Sequence, residues 1–456
     1  MRNVRSLIIF SALVTMLMWQ ACSQRPASPI KSSKPHYTIS IDEKNIRQVM
    51  VEAILPLRSD TIQMSQVMDV SLDQGYAEFV QGLKVFDENG GTIVVNPIGR
   101  SAWKLEVKTP ATVRLQYQTI IDHDKIDWDV SSAFARGYTL DNIVFFVGRV
   151  LFITPTAFQE PISVEYKLPK GWEVATSLKE LGDTNNFEAE SRSLLLNNGN
   201  IVGKLTKREI HVGDLQVEIA GPASMRESIE LFYNALEGIV KTYEAEMGGA
   251  PSGKLVIIAA TSFSHRSGGE AFPNSISMMF NMLPDVSNKS YWGYMLSHEV
   301  YHLWNGHAIK PANQSEVEWF VEGITQYMSR LSTFRAGFMS ESDFKLEMSR
   351  AIDSYTSLAG NVALTDAGRD KGGNFGLIYD GGMVVAYALD LEIRKATKTK
   401  GLAELMRAMF EKFGKTGKRY TYSDIIETTS EVAGKDMSAF FREYVAGTKV
   451  LDVKRP

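Results

Sequence analysis

Two histidines four residues apart with a glutamate beside the first, His298-Glu299-Val300-Tyr301-His302, are the residues in this chain best suited to chemistry. On a helix, positions four apart lie on one face about one turn apart, so both imidazoles can reach a single cation. Glu299 then sits where it can act as a base toward water held at that cation. The surrounding stretch, YWGYMLSHEVYHLWN, is compatible with a helix, and Gly306 supplies a C-terminal stop. The competing reading is two surface histidines on a charged helix. With only seven histidines in the chain, a chance HExxH arises on the order of one time in a hundred.

A third ligand is needed, and Glu322 supplies it. It lies 20 positions after His302 in Trp319-Phe320-Val321-Glu322-Gly323-Ile324-Thr325-Gln326-Tyr327. Phe320, Ile324, Tyr327, Met328 and Leu331 recur at helical spacing and predict a helix with a buried face. A carboxylate on so apolar a stretch is costly unless it is paired or bound to metal. His298, His302 and Glu322 together form a His2Glu set with one position left open, the donor set of a single catalytic Zn2+. The alternative for Glu322 is an ordinary acid on a helix surface. His307, nine positions after His298 and beyond Gly306, reads as a loop residue near a cleft and not as a ligand.

The elements that must hold these residues fall into a simple order. Short alternating runs fill 37–221, such as YTISI, AWKLEV, TVRLQYQTI, ISVEYKL and LQVEIA, broken by turn signals at Asp87–Gly91 and Pro169–Gly171. They predict an antiparallel, sandwich-like β domain without a catalytic cluster of its own. Residues 222–345 open with a long helix over Ser224–Gly248 and the buried strand LVIIAA, then reach the two helices with the ligands. Residues 346–456 are mostly helical, with a Gly/Lys-rich loop at 370–374. The fold class is therefore α+β. At 456 residues two or three domains are expected. A net charge of -4 offers no basic surface to nucleic acid.

The N-terminus has a different purpose. Arg2 and Arg5 precede the apolar run Leu7–Trp19, which is too short for a comfortable membrane span and reads as an export signal over 1–21. Cys22, the sole cysteine, follows directly and resembles the lipidated cysteine of a bacterial lipoprotein. Trp19 and Gln20 depart from that pattern, and a plain secreted protein with an incidental cysteine is the alternative. Residues 22–36, rich in Ser, Pro and Lys, read as a flexible tether. The expectation is attachment to the periplasmic side of a bacterial envelope through lipid at Cys22. Ser23 after the cysteine favours the outer membrane over the inner. A single cysteine excludes an intramolecular disulfide and any cysteine-based zinc site.

The stretch HEVYHLWNGHAIKP followed by WFVEGITQYM resembles the glycyl aminopeptidase family of gluzincin zinc peptidases. The block YDGGMVVAYALDLEIR from Tyr379 to Arg394 resembles that family's Tyr-x-Lys-Gly helix entry, with Gly381 in place of the lysine. FGKTGKRYTYSD and EVAGKDMSAFFREYVAGT resemble it too. The likeness runs from about Tyr37 to Thr448, so the PDZ module that members often carry is not expected. It implies an N-terminal β domain, a thermolysin-like catalytic domain and a C-terminal helical domain. It also implies that Tyr379 donates a hydrogen bond to the oxyanion of a tetrahedral intermediate, a service that peptide hydrolysis asks for. The alternative is a structural tyrosine at a helix start.

Gly268-Gly269-Glu270-Ala271-Phe272 resembles the family's Gly-Gly-x-Glu-His segment lining the substrate cleft, which makes Gly268, Gly269 and Glu270 candidate substrate-binding residues. In an ungapped match, however, the family glutamate falls on Ala271 and the histidine on Phe272. The function expected is hydrolysis of peptides by metal-activated water, with Glu299 as general base, in an aminopeptidase-like enzyme with relaxed dependence on a free N-terminus. Two other readings stay open: a catalytically degenerate peptide-binding lipoprotein of the same fold, and another zinc hydrolase such as an amidase or esterase.

Overall fold

A computed structural model describes residues 34–65, 72–121, 123, 136–140, 142–156, 158, 160–182, 184–261 and 267–456. The expected export signal, Cys22 and most of the expected tether lie outside the described residues.

Alternating sequence makes alternating burial in the N-terminal part. Gln48–Leu57 buries every second residue and pairs antiparallel with Ala111–Ile120 over ten registered positions. Both belong to an eight-stranded sheet, and residues of two four-stranded sheets share its apolar core. The strand Ile143–Val147 is buried at all five positions. Val144 and Phe146 enter the core of the N-terminal sheets. Ile143, Phe145 and Val147 enter a second cluster with Val256, Ile258, Ala260, Phe272 and Met279. This one strand is therefore covered on both faces, and its outer face fixes the N-terminal part against the rest of the molecule.

The next sheet runs in the order Leu205–Val212, Leu215–Pro222, Gly253–Thr261, Ser275–Phe280, Gly268–Ala271. Its inner strand contains LVIIAA, apolar without alternation because both faces are covered. The expected β domain over 37–221 included 205–221, yet the strands Leu205–Val212 and Leu215–Pro222 hydrogen-bond into this second sheet. Alternation looks the same on either side of a change of sheet, and the pairing partner decides membership. The long helix spans Arg226–Met247 and ends at Gly248, whose φ of 75° provides a left-handed cap.

The remainder is helical and shares its core with this sheet. One continuous apolar cluster runs from Ile210 to Val445, across the boundary expected at 345/346. The motif helix is Lys289–Tyr301, buried at every position from Met295 to Tyr301. It sits among aromatic rings: Tyr243 lies edge-on to Tyr301, and the Tyr243 hydroxyl donates to the Ser297 carbonyl at 3.1 Å. The Glu322 helix is Gln314–Arg335, with a non-helical residue at Val317. Gly323 permits its approach to the helix Gly382–Thr397, since a Cβ there would lie 2.3 Å from the Gly382 backbone. Among the described residues no helix is long and apolar enough to cross a membrane.

Candidate metal centre

The motif helix ends at Tyr301, and His302 is its C-cap residue. His298 and His302 point toward each other from successive turns, with 3.2 Å between their Nε2 atoms. Glu322 Oε2 lies 3.7 Å from His298 Nε2 and 3.4 Å from His302 Nε2. All three residues are buried. At ordinary Zn–N and Zn–O bond lengths, two donors of a tetrahedral site stand about 3.3 Å apart. The three spacings match that figure. Among the described residues Glu322 Oε2 has no hydrogen-bond partner, which suits a carboxylate oxygen that faces a cation. The donor set therefore fits one zinc ion.

The outer contacts hold the donors in place. His302 Nδ1 donates to the Asn305 carbonyl at 3.0 Å, which leaves Nε2 free for metal. The Asn305 amide in turn donates to the carbonyls of Phe320 and Val321 at 3.1 and 3.0 Å and to Thr325 Oγ1 at 3.2 Å. One fully buried side chain thus ties the turn after His302 to the turn that carries Glu322. Glu322 Oε1 accepts from Lys371 Nζ at 2.8 Å, and the same ammonium donates to Glu318 Oε2 at 2.9 Å.

Electrostatics follow from burial. Burial holds His298 down at about 4. Burial acts the same way on His302, but the charges of Glu322 and Glu299 and the bond to Asn305 outweigh it and raise His302 to about 9. Glu322 stays well below the usual carboxylate range: burial alone would raise it, and His302 and Lys371 reverse that. For Glu299 the pull of His302 and Lys371 does not overcome burial. Burial pushes it up to about 7, with Glu322 and Glu270 adding to the effect. A carboxylate near 7 suits proton transfer at neutral pH.

Two further elements border the site. The strand Gly268–Ala271 is the edge of its sheet and runs past Glu299. A Cβ at Gly269 would lie 2.8 Å from the Glu299 carboxyl carbon, so glycine is required for this approach. Register is continuous from Gly268–Met279 to Ala271–Ile276, without a bulge. Glu270 therefore projects to the face opposite Gly269 and Ala271. There its Oε1 meets Arg149 Nη2 of the N-terminal part at 3.3 Å. Burial raises the Glu270 carboxyl, against the pull of Arg149. His307 hydrogen-bonds with the Ala271 backbone and is lowered to about 4 by burial.

Tyr379 comes from the opposite side. It lies on a π-helical turn, Leu377–Gly381, that leads into the helix Gly382–Thr397. Such turns often mark functional sites. Its ring stacks on Phe375 with centroids 4.1 Å apart and lies parallel to His298 at 6.4 Å. Its hydroxyl reaches Glu322, and burial first, then the charges of Glu322 and Glu299, keep it protonated.

The structure thus gathers His298, His302, Glu322, Glu299, Tyr379 and Gly269 at one place, while Glu270 turns toward Arg149. Sequence reasoning assigned no role to Asn305, Glu318, Lys371 or Arg149. Glu318 carried a signal: it precedes Glu322 by one helical turn, so two acids share one face of an apolar stretch. Arg149 and Lys371 carried none, because nothing local marks a partner more than 40 residues away.

No curated protein gives a significant sequence match. Solved structures do match in fold. An aminopeptidase N family protein from Idiomarina loihiensis aligns with a TM-score of 0.77 at 18% identity, over 92% of this chain and 77% of that one. An M1 zinc metallopeptidase from Deinococcus radiodurans aligns with a TM-score of 0.59 at 13% identity, over 94% and 96% of the two chains. A mutant of the Deinococcus enzyme bound to a Tyr-Ser-Ala substrate aligns with a TM-score of 0.60 at 14% identity, over 93% and 95%. Sequence profiles match more directly: the Peptidase M61 N-terminal domain over residues 36–199, and M61 glycyl aminopeptidase over residues 293–369, which include the HExxH motif and Glu322. With one family matched over the N-terminal sheets and again over the metal centre, this chain belongs to the M61 glycyl aminopeptidase family of zinc peptidases.

Proposed function

We propose that the chain is a gluzincin-type peptidase in which His298, His302 and Glu322 hold the zinc, Glu299 is the general base and Tyr379 donates to the oxyanion. The observation that carries this reading is the convergence of three buried donor atoms at zinc spacing, with the Glu299 carboxylate raised by burial to about 7 beside them. Bound there, zinc lowers the pKa of water and polarises a carbonyl.

The chain's own residues do the rest. Glu299 takes the proton of the attacking water and hands it to the departing amine. The Tyr379 hydroxyl stays protonated and can donate to the developing oxyanion. As the edge strand of its sheet among the described residues, Gly268–Ala271 can offer backbone groups to an extended peptide. Its glycines let that peptide lie close to Glu299. Ala271 occupies the face on which a carboxylate could meet a substrate ammonium, and Glu270 lies on the other face against Arg149. This favours an aminopeptidase-like enzyme with relaxed dependence on a free N-terminus. Lipid attachment at Cys22 and residence on the periplasmic side of the outer membrane complete the proposal, on the strength of the N-terminal sequence alone.

Cleavage of a peptide library, read by mass spectrometry, tests the reading. Products should appear with zinc and vanish with a chelator. A zinc-loaded, folded protein that cleaves no peptide would refute it. Membrane fractionation of wild type against Cys22→Ala tests the anchor: the variant should move to the soluble fraction.

A further inference from the structure

We propose that Lys371 is a positioning residue of the metal centre: it occupies the outer oxygen of Glu322 and compensates Glu318, so that Glu322 offers a single oxygen to zinc. The proposal rests on the assignment of Glu322 as a ligand.

Glu318 and Glu322 lie one turn apart on the same helix and are each 7% exposed. Two buried carboxylates on one face repel each other, and each is costly without a partner. Lys371 answers both from a single atom, at 2.9 Å from Glu318 Oε2 and 2.8 Å from Glu322 Oε1. Its place on Oε1 leaves Oε2 as the oxygen that faces the two imidazoles. A lysine here does for the carboxylate ligand what Asn305 does for His302.

The loop is built to deliver this ammonium. Gly368 lies where a Cβ would come within 2.1 Å of the Ser315 carbonyl and 2.8 Å of Glu318 Cγ, so the loop docks directly on the Glu322 helix. The Asp370 carboxylate accepts from Gly373 N at 3.0 Å, and Asn374 Nδ2 donates to the Asp370 carbonyl at 3.0 Å. These bonds shape the turn around Lys371 without using its side chain. Its Nζ also lies 5.7 Å from the Tyr379 ring, so the same loop borders the oxyanion donor.

The test is zinc affinity by chelator competition, with cobalt substitution as a second readout. Lys371→Met should weaken zinc binding about 10- to 100-fold, the usual cost of losing an outer-shell partner. Lys371→Arg should keep affinity within about threefold, and Glu318→Gln added to Lys371→Met should recover part of the loss, because it removes the uncompensated acid. The visible absorption of cobalt-loaded Lys371→Met should fall as Glu322 becomes free to offer both oxygens. A merely structural role for Lys371 would move the melting temperature and leave that spectrum unchanged. Wild-type zinc affinity and cobalt spectrum in Lys371→Met, with Glu322→Gln losing zinc, would overturn this inference alone. Wild-type zinc affinity in Glu322→Gln would overturn the ligand assignment and the inference together.

Discussion

The two ends of the site are built differently. At the metal end all three donors are buried, and two of them are held by a second group: His302 by Asn305 and Glu322 by Lys371, with Asn305 also joining the two helical turns. At the substrate end the four residues Gly268–Ala271 are all partly exposed, the strand is the edge of its sheet among the described residues, and Glu270 is held by Arg149 from the N-terminal sheets. The metal end has one way to be arranged. The substrate end can be retuned by a register or a partner without disturbing it. Chemistry and selectivity are thus separable here, and substitutions should divide along the same line.

Attacking the metal end should have the largest effect. Glu299→Gln keeps the donors and removes the proposed base, so hydrolysis should fall about 10⁴-fold with zinc retained. His302→Ala should lose zinc as well as activity. Metal content by atomic emission on both purified proteins checks the contrast, and full zinc in His302→Ala would sink the ligand assignment. Next in size, Tyr379→Phe should lower kcat about 10²- to 10³-fold with zinc unchanged, as expected for one lost oxyanion donor. Unchanged kcat would make Tyr379 structural.

Gly269→Ala tests the seam between the two ends. Its new methyl would need the Glu299 carboxyl group or the strand to shift, because 2.8 Å is too close for a carbon contact. A displaced base or substrate should cost about 10²-fold in kcat. Stability and zinc content should stay near wild type. Equal turnover in this variant would show that the strand can move at no cost, against the role given to that glycine.

The same division explains what the sequence could disclose. HExxH is local: its spacing places two imidazoles on one face whatever surrounds the helix. Glu322 was legible because an acid on an apolar helical stretch asks for an explanation. Asn305 stood next to the motif, but its work is to join two helices, and spacing does not show that. Lys371 and Arg149 act across 49 and 121 residues, and no periodicity links them to Glu322 or Glu270. In the same way, 205–222 alternates like the strands before it, and only pairing reveals its sheet.

The smallest expected effect lies wholly at the substrate end. An enzyme that depends on a free N-terminus needs a carboxylate near the metal to meet the ammonium. The strand carries one acid, Glu270, at the position whose side chain points away from Glu299, since Gly269 faces Glu299 and successive residues alternate. That acid already meets Arg149, so an arriving ammonium would have to approach a paired charge beside a guanidinium. Both facts weaken the anchor. The ratio of kcat/KM for matched free and N-acetylated peptides should therefore stay below about 100-fold, equivalent to roughly 2.7 kcal/mol. Glu270→Gln should leave this ratio within about threefold of wild type, because a carboxylate that does not touch the amine cannot lose its contact. A ratio above 100 that collapses in Glu270→Gln would place the anchor on Glu270 after all. It would mean that the edge strand turns that side chain into the cleft when a peptide binds beside it.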